Sequence, residues 1–109
     1  MSLDTNQLAS EMIGAMQAVL QDKWPKIKEY GEAESRKLAE SFAMVEKLRL
    51  LNEIDEDEAV LHFTIQKNAS RTVLLTIEGL GVLAAESAIN AALDVVKDSV
   101  NTTLGFILI

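Results

Sequence analysis

The sequence predicts a small α+β domain on three observations: a well-capped amphipathic helix starting at Asp4, a β-branched stretch between Val60 and Ile77, and an apolar C-terminal hexapeptide, Leu104 to Ile109. The expected order is one or two N-terminal helices, a β-hairpin, a helix and a final strand, within one domain over residues 1–109.

Asp4 suits an N-cap, Gln7 stands at its capping-box position, and Leu3 and Leu8 are spaced as a hydrophobic staple. Leu8, Met12, Met16, Val19 and Leu20 then recur at helical spacing and mark one inward stripe. Asp22-Lys23-Trp24-Pro25 interrupts it, so that either Asp22 caps a second helix or Pro25 kinks one long helix. From Ile27 to Leu51 the pattern resumes with Leu38, Phe42, Val45 and Leu48 inward and a Glu32–Arg36 pair on the other side. Asn52 is a plausible left-handed stop, and Glu53 to Glu58, rich in acids, marks a boundary.

Beyond it, Leu61, Phe63 and Ile65 alternate with His62, Thr64 and Gln66, and Val73, Leu75 and Ile77 alternate with Thr72, Leu74, Thr76 and Glu78. Two strands joined by a Lys67 to Arg71 loop are expected. After Gly79-Leu80-Gly81 a helix spans about residues 81–100 with Leu80, Ala84, Ala88, Ala91 and Val95 inward. Leu104 to Ile109 then reads as a buried strand beside Val73 to Ile77.

The rival is all-α: one helix from an Asp55 cap, with Glu58 at the N3 position, through to about Asn101, giving a long helical hairpin that forms a bundle by dimerisation. Against it stand the phase shift of the apolar face near Gly79 to Gly81, a cost of about 1 kcal/mol per interior glycine, and the rarity of so long a helix in so short a chain. The strands are therefore favoured.

With 10 Lys and Arg against 17 Asp and Glu, the net charge of -7 repels phosphate backbones and anionic headgroups, so neither nucleic acid nor a membrane is expected as a partner. The chain has no cysteine, which excludes disulfides, thiolate nucleophiles and cysteine-ligated zinc. Asp4 and Glu11 stand where a secretory signal carries basic residues, and the most apolar window, Thr72 to Val96, holds Glu78, Glu86 and Asp94. A soluble, cytoplasmic protein is expected. A three-stranded sheet would leave open edges, and the first helix's stripe would outrun it, so a homodimer or larger homo-oligomer is expected too.

Motifs are sparse. His62, the sole histidine, lies four residues after Glu58, so a helix would put both on one face as half of a metal site that a second copy would complete. The acidic run lacks the EF-hand glycine, since Val60 stands in its place. Gly79, Gly81 and Ala84 spell a dinucleotide-like string, but too little chain follows for a paired mononucleotide fold, and a tight turn accounts for the glycines. No Gly-x-Ser-x-Gly elbow is present, and Trp24 reads as core. The expected function is an acidic protein-interaction or scaffold domain that self-associates, without cofactor or catalytic chemistry. The alternative is a metal-binding helical bundle using carboxylates and His62 across a dimer interface.

Overall fold

The computed structural model describes residues 2–109 and contains four α-helices: α1 (Thr5–Leu20), α2 (Trp24–Leu50), α3 (Glu56–Leu75) and α4 (Val82–Leu104). α1 starts as its sequence dictates, with Asp4 extended and its carboxylate accepting the Gln7 N–H at 3.1 Å. A 3-10 turn, Gln21–Lys23, with Gln21 at φ 46°, reverses the chain into α2. Pro25 falls in the first turn of α2, where its missing N–H costs nothing, and no side chain caps that turn. α2 ends at Leu50, and Asn52 takes the left-handed conformation (φ 55°) that lets the Glu53 N–H close onto the Leu48 carbonyl.

α3 is opened by a full capping box. The Asp55 carboxylate accepts the Glu58 N–H at 2.8 Å and the Glu58 carboxylate accepts the Asp55 N–H at 3.1 Å. A turn through Gly79 and Gly81, both at positive φ (84° and 86°), leads into α4, which ends on left-handed Gly105.

Each helix packs against its sequence neighbours, and α4 also packs along α1, making an up-down-up-down four-helix bundle of 43 × 22 × 18 Å. Single contacts mark the helix pairs: Ser35 Oγ to Met16 Sδ for α1 with α2, the tilted rings of Phe42 and Phe63 with centroids 5.5 Å apart for α2 with α3, and Arg71 to Glu86 at 2.7 Å for α3 with α4. The core is apolar and drawn from all four helices, with Met12, Met16, Leu38, Phe42, Leu74, Ile89 and Val96 sealed from solvent.

The expected α+β fold is therefore wrong: 82% of the structure is helical, and no strand occurs among the described residues. The expected hairpin, residues 61–78, lies mostly in α3. Ala59, Phe63, Ser70 and Leu74 form its buried stripe at helical spacing, while Leu61 and Ile65 face solvent at 60% and 61% exposure. Thr64 and Thr72 return their hydroxyls to the carbonyls of Val60 and Asn68, each at 2.8 Å, which accommodates them within the helix. The all-α rival is nearer the truth, but its single helix breaks at Thr76 to Gly81, and one chain supplies all four walls.

The expected C-terminal strand is absent as well. Past Gly105 the tail folds back onto the bundle's end: Asn101 Oδ1 accepts from the Leu108 and Ile109 N–H groups at 2.9 and 3.1 Å, and Asn101 Nδ2 donates to the Ile109 carbonyl at 3.3 Å. Leu108 is buried, and Phe106 lies 5.5 Å beneath the Arg49 guanidinium. The inward face of α4 is Ala85, Ala88, Ile89, Ala92, Val96 and Val100, one position on from most of the expected stripe, and Val95 is exposed. The α1 stripe, expected to need a second copy, is covered within the chain by α2 and α4, apart from half-exposed Val19.

Candidate functional site

α3 carries two opposed stripes. The one built on Phe63 and Leu74 holds the helix in the bundle, so the residues half a turn away must face outward. Those are Val60, Leu61, Thr64, Ile65, Asn68, Thr72 and Leu75, all exposed. From Val60 to Leu75 the only exposed Lys, Arg, Asp or Glu is Arg71, and its guanidinium is engaged by Glu86. Because Thr64 and Thr72 donate back to their own helix, their hydroxyls need no water as acceptor. In a chain that is 25% charged, α3 thus presents a long uncharged face of alternating aliphatic and small polar side chains.

Beside this face, α2 and α3 leave an open groove of about 330 Å³ lined by Lys37, Glu40 and Met44 on one side and His62, Ile65 and Gln66 on the other. Met44 is exposed, so an apolar floor continues from α3 onto α2. Farther along α2, Glu34 is 2% exposed and meets Lys37 Nζ at 3.1 Å, while on α3 Gln66 Nε2 donates to buried Ser70 Oγ. No buried side-chain polar atom among the described residues lacks a partner. The groove offers apolar contact edged by both signs of charge, a surface suited to another helix.

Glu58 and His62 do lie one helical turn apart on α3, as the helical reading placed them. The Glu58 carboxylate, however, serves the capping box, and His62 is exposed beside Leu61 and Ile65. Among the described residues no group of three or more histidine and acidic side chains could hold a metal ion. Glu56, Asp57 and Glu58 occupy the first turn of α3, where they complement the helix dipole.

Gly79, Gly81 and Ala84 join two helices instead of following a strand, so the setting a dinucleotide fingerprint requires is missing. Two ammonium groups lie there: Lys23 Nζ donates to the Leu80 carbonyl at 3.1 Å, and Lys26 Nζ is 2.7 Å from where a Gly79 Cβ would stand. Trp24 is buried, its ring against Gly31.

Sequence reading missed the outward face of α3 because it divided those residues between two strands. The available signal was a second helical stripe, Leu61, Ile65 and Leu75, out of phase with Phe63 and Leu74. No helix of the described residues is long and apolar enough to cross a membrane. No protein-family model, curated protein or solved structure matches the chain.

Proposed function

We propose that this chain is a small cytoplasmic interaction module that acts as a scaffold or adaptor by burying the outward face of α3 against another protein. The carrying observation is the outward face of α3 between Val60 and Leu75, whose one exposed charged residue, Arg71, is paired with Glu86, and on which Leu61 and Ile65 are each about three-fifths exposed on a bundle whose core is already complete. Exposed apolar surface gains free energy when covered, and a rigid helix presents it at little entropic cost. The lack of cysteine supports the reducing compartment.

A photoreactive residue at position 65, introduced in cells that make the protein, tests this reading against the same residue at position 36, where exposed Arg36 lies on the polar side of α2. Adducts at 65 and none at 36 are expected. Equal labelling at both positions, or none at 65, would overturn it.

A further inference from the structure

We infer that the partner for this face is a second copy of the chain, docked as an antiparallel α3–α3 pair whose two-fold axis passes beside Asn68. This rests on the interaction reading above and names its occupant. Leu61, Ile65, Asn68, Thr72 and Leu75 follow one another at steps of four, three, four and three residues, the spacing that keeps side chains along one seam between paired helices. The seam runs over 15 residues, Leu61 to Leu75, about 21 Å of helix.

It is also nearly symmetric about its middle, as an isologous interface must be. Leu61 and Leu75 lie seven residues to either side of Asn68, and Ile65 and Thr72 three and four. Turned end for end, a second α3 brings its Leu75 toward Leu61 and its Thr72 toward Ile65. At the axis two carboxamides meet, and each donates and accepts, so the one fully polar group on the seam is satisfied by its own copy. A single asparagine in an apolar seam is a known device for selecting one register.

Charge supports the same orientation. The acidic segment, with Glu53, Asp55, Glu56, Asp57 and Glu58, lies at one end of α3, and Lys23 and Lys26 lie at the other, beside Leu80 and Gly79. Antiparallel docking sets each acidic end alongside the lysines of the other copy, where Asp22 and Glu78 are the opposing carboxylates. Parallel docking would set the two acidic ends together. The charged groups nearest the seam do not oppose this, because Arg71 is paired with Glu86 and Lys67 is turned partly inward.

Because the chain has no cysteine, engineered thiols report the geometry directly. Under mild oxidation Asn68→Cys should form a covalent dimer of about twice 11.9 kDa, well above the background from Arg36→Cys. Leu61→Cys and Leu75→Cys should each form no inter-chain disulfide alone and cross-link when mixed. Cross-linking of either alone, as efficient as that of Asn68→Cys, would overturn the antiparallel pairing. So would light scattering that shows a monomer throughout the micromolar range. An adduct at position 65 to a protein of another mass, without a disulfide at Asn68→Cys, would leave the interaction reading standing and remove the second copy from it. All these positions are exposed, so folding, followed by helical circular dichroism, should be unchanged.

Discussion

Asn101 holds the C-terminal tail with one carboxamide, and its replacement separates acceptor from donor. In Asn101→Ala the N–H groups of Leu108 and Ile109 lose their only side-chain acceptor, in a region that is half-buried. A fully buried unsatisfied amide costs about 1–3 kcal/mol. Partial exposure places each of these near the low end, so a loss of about 2 kcal/mol is expected, with further loss if Leu108 comes off the core. For a domain of this size that lowers Tm by roughly 10 °C.

Asn101→Asp keeps an oxygen that accepts both amides but exchanges the Nδ2 donor for a carboxylate oxygen facing the Ile109 carbonyl, so a loss of about 1 kcal/mol, from the lost bond and the new repulsion together, is expected. Urea denaturation of the three proteins gives the ranking, and amide exchange at Leu108 and Ile109 reports the tail itself. An Ala variant as stable as the parent, or an Asp variant as damaged as the Ala variant, would refute the account of the tail as a latched part of the fold.

Two further substitutions test the packing. Gly14→Ala places a methyl group in open space on α1 and should stabilise by about 0.5–1 kcal/mol, whereas Gly31→Ala puts one 2.7 Å from the buried Trp24 ring and should destabilise by about 1–3 kcal/mol despite the better helix propensity. Thermal melts of the pair decide it, and equal signs would mean that the Trp24 ring is not held where it lies. Ala88 has no exposure, so Ala88→Glu buries an unpaired carboxylate and should abolish the cooperative melting transition; a folded variant would put the inward face of α4 elsewhere.

The start of α1 and the end of α2 were legible in the sequence because caps are local chemistry, whereas the Asp55 cap belonged only to the all-α alternative and α4, expected to end near residue 100, runs on to Leu104. Asp4, Asn52, the Asp55–Glu58 pair and the glycines at 79 and 81 each do in the structure what their residue types do in any chain. The nature of the 61–78 stretch was not legible, because Phe63 belongs equally to an alternating pattern and to a helical one. What separates the two is Ser70, a polar residue on the buried stripe that no hydrophobic template counts as core. The face of α4 failed for the converse reason. Alanines at 84, 85, 88, 91 and 92 suit two adjacent phases, and Ile89, sealed in the core, decides between them. The candidate surface was hidden for a third reason: Asn68 and Thr72 stand within it, and neither reads as apolar when taken alone.

The ring order of the helices also bears on how the molecule assembles. Three of its walls join helices adjacent in sequence through short turns, and such closures are fast because little chain entropy is lost before contacts form. Only the wall between α1 and α4 brings distant parts of the chain together, and it is among the most extensive in the bundle. A barrier set by that single long-range closure would leave the turns largely formed in the transition state and the α1–α4 seam to lock afterwards, so the seam would govern how slowly the folded protein comes apart more than how quickly it forms.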